Sequence, residues 1–138
     1  EKPYYEYRIL NHWDNLDDTV ERGYAGLSMW EWTAKEIPAK RIHHYGELCA
    51  SVGLNGAVLN NVNANPLILD KEHIERVAQI ANILREYGIT TYLSIKWTSP
   101  ITLDGLKSGD PLDPKVRQWW KNKAAEIYTA IPISAAFS

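Results

Sequence analysis

The stretch that most limits what this chain can fold into is residues 54–66, Leu-Asn-Gly-Ala-Val-Leu-Asn-Asn-Val-Asn-Ala-Asn-Pro. Its first half, Gly56 to Asn60, is too short for a helix and too apolar for a surface loop. It reads as a strand buried on both faces, as strands of parallel sheets are. The stretch then turns polar within one residue. Asn60, Asn61, Asn63 and Asn65 follow one another closely, and the carboxyl end of a buried strand is where α/β folds place ligand-contacting groups. Asparagine also hydrogen-bonds its own turn and tolerates left-handed backbone, so for any one of the four a loop role is the plainer reading. Together they suit a polyol, because a carboxamide donates and accepts without charge as a hydroxyl does.

The rest of the chain alternates around that strand. Tyr7, Ile9 and Leu10 mark a strand over about 5–12. Ile42, Tyr45, Leu48, Cys49 and Val52 form a helical stripe over about 38–52, with Pro38 at its start and Gly53 closing it. The buried strand is expected over about 56–61. Asp70 opens a helix over about 70–87, in which Ile74, Val77, Ala78, Ala81 and Leu84 recur at three and four before Gly88. Residues 89–97, β-branched and aromatic, make the next strand. The segment from Pro100 to Pro114 is punctuated by Gly105, Gly109 and Pro111 and is expected to be irregular. Asp113-Pro114 then caps a helix over about 113–129, and residues 133–138 look like a fourth strand stopping in mid-course. This β-α-β-α-β-α-β order implies a parallel sheet with right-handed crossovers. Four strands cannot close a barrel of the usual eight, so the chain looks like half of something.

Composition narrows the function. A net charge of −2 over 138 residues, with scattered Lys and Arg, gives no footprint for nucleic acid or an anionic membrane. No apolar run approaches the length needed to span a bilayer, and the first residues are not a signal peptide, so a cytoplasmic location is expected unless a leader was removed. Cys49 stands alone among apolar helix residues and reads as a buried inert thiol. His12, His43, His44 and His73 show no metal-ligand spacing. Six Trp and eight Tyr against one Phe favour surfaces where a flat ring meets polar edges. Asn11-His12-Trp13-Asp14-Asn15 after the first strand offers amides, a carboxylate, an imidazole and an indole, although Asp14 and Asn15 could simply cap a turn. Trp30 and Trp32, two residues apart, would lie on one side of an extended segment or of a loop over the site.

Residues 8–17 (Arg-Ile-Leu-Asn-His-Trp-Asp-Asn-Leu-Asp), 21–26 (Glu-Arg-Gly-Tyr-Ala-Gly), 60–65, 92–96 (Tyr-Leu-Ser-Ile-Lys) and 110–114 (Asp-Pro-Leu-Asp-Pro) carry a resemblance. Over about Tyr7 to Pro132 the chain resembles the opening of the catalytic barrel in α-glucuronidases of glycoside hydrolase family 67. The resemblance implies a partial TIM barrel, (βα)3β in order and about half of a (β/α)8 barrel. It implies a parent enzyme that hydrolyses, with inversion, the α-1,2 bond joining 4-O-methylglucuronic acid to xylo-oligosaccharides. The family's catalytic carboxylates are expected beyond Ser138, so no catalytic residue is assigned and the isolated chain is expected to be inactive. Asp14, Asp17, Asp18, Glu21 and Glu31 match no catalytic position and read as structural or substrate-orienting. From the match, Trp30, Glu31 and Trp32 are placed beside the uronic acid pocket, Val62 near its 4-O-methyl group, and Asn61, Asn63, His12 and Lys96 as polar liners. No metal or organic cofactor is implied. After Pro132 the chain departs from the family's pattern, as an altered terminus would. Three readings follow: an enzyme segment inactive alone that binds a glucuronic acid-substituted xylo-oligosaccharide weakly, a carbohydrate-binding module, and a self-associating half-barrel whose open strand edges make a homodimer or higher oligomer.

Overall fold

The computed structural model describes residues 2–23 and 26–131. Three short parallel strands, β1 (Ile9–Asn11), β2 (Gly56–Val58) and β3 (Thr90–Tyr92), form one open sheet in the order β1-β2-β3. Ile9, Gly56 and Thr90 lie in register, as do Asn11, Val58 and Tyr92. Four helices accompany them: α1 (Ala39–Ser51), α2 (Lys71–Arg85), α3 (Ser99–Asp104) and α4 (Pro114–Ala130). The strand expected over 133–138 lies outside the described residues.

The helices follow from local chemistry. Ile42, Tyr45, Gly46 and Cys49 are the buried residues of α1, and Ile74, Val77, Ile80, Ala81 and Leu84 those of α2, each set spaced to face one side. Asp70 caps α2, its carboxylate accepting from the His73 N–H at 2.8 Å, and Asp113 caps α4 by accepting from the Lys115 N–H at 2.9 Å. Leu59, Ile68, Val77, Ile80 and Leu84 meet in a core with Trp30 and Ile42, all fully buried.

Two expectations are corrected. Each strand is three residues long rather than six to nine: β2 and β3 are shortened where the chain leaves the ladder at their carboxyl ends, and β1 mainly at its amino end, over residues 5–8. The segment after Pro100 is not irregular throughout: α3 begins with Pro100 in its first turn and ends at Gly105, whose left-handed φ of 65° lets its N–H bond back to Ile101. Proline at a helix start and glycine past its end delimit a helix rather than break it. A 3-10 turn, Pro66–Leu69, follows Asn65, which caps it through the Leu67 N–H at 3.0 Å and drives Ile68 and Leu69 into the core.

The two faces of the sheet differ. Ala57 and Leu59 point into the helix-covered core and are fully buried. On the other face Ile9 and Tyr92 are 38 % and 36 % exposed, and they close over Gly56 so tightly that a Cβ there would stand 2.9 Å from each. Among the described residues β1 and β3 have a strand neighbour on one side only.

Where α1 meets α2, Gly46 lies under the Tyr87 ring, which is held by a 2.8 Å hydrogen bond between its hydroxyl and His43 Nδ1. A Cβ at Gly46 would stand 2.5 Å from Tyr87 Cδ2. Gly46→Val is therefore expected to destabilise the fold by about 2 kcal/mol through overpacking, despite glycine's poor helix propensity. Urea denaturation checks this, and an unchanged or higher midpoint would contradict the packing.

Candidate sugar-binding edge

Because the strands are parallel, their carboxyl ends share one edge. His12 follows β1, residues 59–65 follow β2, and residues 93–98 follow β3. After a last backbone bond on each side, side chains take over from the ladder; toward β1 it runs from the His12 N–H to Val58 O at 3.0 Å. Leu59 N–H still donates to Tyr92 O at 3.1 Å. Beyond it, Asn60 Oδ1 accepts from the Ser94 N–H at 2.9 Å while Asn60 Nδ2 donates to Ser94 O at 3.0 Å. Asn61 reaches the other way: its N–H donates to Asp14 O at 2.9 Å, and its Nδ2 donates to Asn15 Oδ1 and Glu21 Oε2 at 2.9 and 2.6 Å. Its Oδ1 accepts from the Asn63 N–H at 3.0 Å. Asn60 and Asn61 are buried and Asn65 caps the 3-10 turn, so three of the four asparagines serve the backbone. Only Asn63 is exposed with no side-chain hydrogen bond among the described residues.

The segment between β1 and α1 is organised by two acids. Asp14 is 5 % exposed and accepts from the Ser28 hydroxyl at 2.6 Å and the Met29 N–H at 3.0 Å. Asp18 adopts a left-handed φ of 70° and gathers the Trp32 N–H at 2.6 Å, the Thr33 N–H at 3.1 Å and the Thr33 hydroxyl. Asp17 accepts from Thr19 and is held below the usual carboxylate range, chiefly by that hydroxyl. Glu21 accepts from Asn61, and Glu31 pairs with Arg41 at 3.7 Å. Every one of the five carboxylates considered from the sequence thus has a partner within the chain.

Trp30 and Trp32 do not share a side. Glu31 between them has φ 49°, which breaks the extended alternation and sends the indoles to different neighbours. Trp30 is fully buried, edge-on to His12 (5.1 Å) and Tyr45 (5.3 Å), whereas Trp32, 5 % exposed, faces His73 at the start of α2 (6.3 Å). The backbone carbonyl of Glu31 accepts from Arg76 of α2. His12 Nε2 lies 2.7 Å from the Tyr45 hydroxyl, and its Nδ1 lies 3.8 Å from Asp14. Burial lowers the His12 pKa and the Asp14 carboxylate partly opposes that shift; burial also raises the Tyr45 hydroxyl. At neutral pH the pair is uncharged.

What the edge leaves open is a cleft of about 250 Å³ between the turn after β2 and the turn after β3, lined by Val62, Asn63, Ala64, Ile95, Lys96 and Trp97. It brings together Val62, Asn63 and Lys96 from the residues singled out in the sequence. His12, Trp30, Glu31, Trp32 and Asn61 are not among its lining. Trp97, 64 % exposed, is a lining residue that the sequence reading passed over as the end of a strand.

The whole of residues 1–138 matches the model of the glycosyl hydrolase family 67 middle domain. The chain belongs to glycosyl hydrolase family 67. It is 42% identical over 136 residues to a probable alpha-glucuronidase A of Aspergillus terreus, covering 98% of this chain. It is 43% identical over 136 residues to alpha-glucuronidase A of Emericella nidulans and 39% identical over 137 to that of Aspergillus tubingensis. The family 67 segment described here spans 16% of the length of each of these relatives. Among its described residues no group of three or more His, Cys, Asp or Glu is placed to hold a metal, and no helix is long and apolar enough to cross a membrane.

The His12 environment sets a pH dependence. The ordinary imidazole value is 6.5 and the folded value is lower, so between the two the unfolded chain binds a proton that the folded chain does not. Stability is full above 6.5 and falls as pH drops through that window, with a slope of at most about 1.4 kcal/mol per pH unit. His12→Gln is expected to be less stable at pH 7 yet flatter between pH 7 and 5. Chemical denaturation at each pH checks this, and an equal slope in both proteins would contradict it.

Proposed function

We propose that this chain is the opening part of the (β/α)8 catalytic barrel of an inverting α-glucuronidase acting on the α-1,2 bond between (4-O-methyl)glucuronic acid and xylo-oligosaccharides. The observation that carries the reading is the identity of 42% across 98% of the chain to a probable alpha-glucuronidase A. The arrangement is compatible with it: three parallel strands with their carboxyl ends on one edge, helices on one face, and an opposite face free to become a barrel interior. In this reading Val62, Asn63 and Lys96 meet the uronic acid directly. His12, Trp30, Glu31, Trp32 and Asn61 form the layer that holds that wall in place.

Inverting hydrolysis needs one protonated and one ionised carboxyl group roughly 6.5–9.5 Å apart across the scissile bond. The acids of the edge are instead engaged by N–H and O–H donors or a guanidinium, so the chain alone is expected to release no glucuronic acid from aldouronic acids. Replacing the aligned segment of the Aspergillus terreus protein by this chain is expected to give a folded chimera that does release it. Turnover by the isolated chain that is lost in Asp14→Asn, or a folded chimera without turnover, would overturn the reading. A wall without its opposite side binds weakly, so glucuronic acid is expected to bind the isolated chain with a Kd above about 1 mM, some −4 kcal/mol. A micromolar constant by calorimetry would favour a binding module.

The face carrying Ile9 and Tyr92, and the edges of β1 and β3 that have no strand neighbour among the described residues, suggest self-association of the isolated chain, most simply a two-fold dimer. Sedimentation equilibrium at micromolar concentration is expected to give twice the chain mass. A well-folded monomer would contradict that part of the proposal.

A further inference from the structure

We propose that Asn55 is a modification site of the chain, a deamidation site whose reaction is gated by the docking of residues 6–8 against the start of β2. Its carboxamide is held away from the Gly56 nitrogen while the amino edge of the sheet is closed, and is lost as ammonia once that edge opens.

The first support is the bonding of Asn55, which stands one residue before β2 and engages each of its backbone and side-chain polar groups. Its N–H donates to Arg8 O at 2.9 Å, and its Oδ1 accepts from the Arg8 N–H at 2.8 Å. Its Nδ2 donates to Glu6 O at 2.7 Å, and its carbonyl accepts from the Thr90 N–H at 3.0 Å. The approach to β1 is held from its own side too, since the Arg8 guanidinium donates to the carbonyls of Gly53, Tyr5 and Glu6. One residue thus joins the amino ends of all three strands.

The second support is the residue that follows. Gly56 is buried, and a Cβ there would stand 2.9 Å from both Ile9 and Tyr92, so the packing of those side chains calls for glycine. Asn55-Gly56 is the one asparagine-glycine pair in the sequence. Such a pair is the most open to cyclisation, because no side chain shields the glycine nitrogen. In that reaction the Gly56 nitrogen attacks Cγ of Asn55, a new N–Cγ bond replaces the Cγ–Nδ2 bond, and ammonia leaves with the proton of the Gly56 N–H. Water then opens the succinimide at either carbonyl, giving aspartate or isoaspartate. Neither product fits the closed edge. Aspartate sets an anionic oxygen against Glu6 O, where Nδ2 had donated. Isoaspartate puts an extra carbon between the N–H that meets Arg8 and the carbonyl that meets Thr90. The sheet requires each residue of the pair, and the pair survives only while the sheet holds the carboxamide off the nitrogen.

The test incubates the chain in mildly alkaline buffer, with and without urea, beside a synthetic peptide of residues 52–59 in the same two solutions. Peptide mass mapping, with isoaspartate labelled by a protein isoaspartyl methyltransferase, reads the loss of Asn55. In urea the chain is expected to react as fast as the peptide. Without urea it is expected to react at most about one-tenth as fast, as for an edge open no more than about a tenth of the time. Arg8→Ala removes three of the bonds that dock residues 5–8. It is expected to raise the rate without urea at least about threefold, while exchange protection of the α2 amides shows that the helical core stays folded. Asn55→Asp is expected to lower the urea midpoint. Asn55 reacting in the chain without urea as fast as in the peptide overturns the proposal. An Arg8→Ala rate equal to that of the unaltered chain, or an unchanged midpoint in Asn55→Asp, overturns the gate or the misfit of the product. The comparison of chain with peptide needs no variant, so it decides the proposal even where Arg8→Ala unfolds.

Discussion

The reciprocal pair between the Asn60 carboxamide and the backbone of Ser94 is the contact on which the rest of the edge depends. The β2–β3 ladder ends at the Leu59 N–H, and one residue later a side chain imitates the missing rung by accepting from the Ser94 N–H and donating to its carbonyl. The sheet is thereby prolonged without extended backbone, and both chains can turn while their polar groups stay paired. Asn61 reaches toward the segment after β1, its Nδ2 donating to the side chains of Asn15 and Glu21. Each such bond adds only about 1 kcal/mol net, but a buried donor or acceptor left alone costs about 1–3 kcal/mol. The two adjacent amides therefore act as a clasp with one hand on each of the segments that follow β1 and β3.

That clasp decides what remains for a ligand. Asp14 and Asp18 are engaged in fastening residues 28–33, Asn65 in starting the 3-10 turn, and Trp30 in filling the space between His12 and Tyr45. Among the described residues the groups left facing solvent beside the strand ends include Asn63, Lys96, the Val62 and Ile95 side chains and the outer face of Trp97. Most of the polar and aromatic residues that make the sequence look like a sugar site are thus engaged within the chain, and a small remainder faces solvent. A rigid supporting layer of this kind is what a binding geometry needs to hold its contact groups in place.

The helices were legible in the sequence because their signals are local: periodic apolar residues in α1 and α2, and Asp70 and Asp113 as caps. α3 is hidden in the sequence because Pro100 and Gly105 look like breakers, although their order, proline first and glycine last, is that of a helix's two ends. The strands were read too long because nothing local says that Asn60 and Ser94 leave the ladder; their partners are 34 residues apart. Turn chemistry, the plainer reading of the asparagines, holds for Asn65, while Asn60 and Asn61 act across the sheet. The shared side expected of Trp30 and Trp32 failed at the left-handed Glu31, which a Glu-flanked pair of tryptophans does not announce. Trp97 escaped notice because a tryptophan closing a β-branched run looks like core.

Polar side chains bind the strand ends and the segment after β1 into one cooperative unit. Native-state hydrogen exchange measures this directly at the N–H groups of Met29, Trp32, Asn61 and Ser94, which donate to Asp14, Asp18, Asp14 and Asn60 respectively. The account predicts protection approaching that of the interior amides of α2, lost together in Asn60→Ala. Exchange at those four positions as fast as in an exposed loop, or loss confined to Ser94 in the variant, would contradict it.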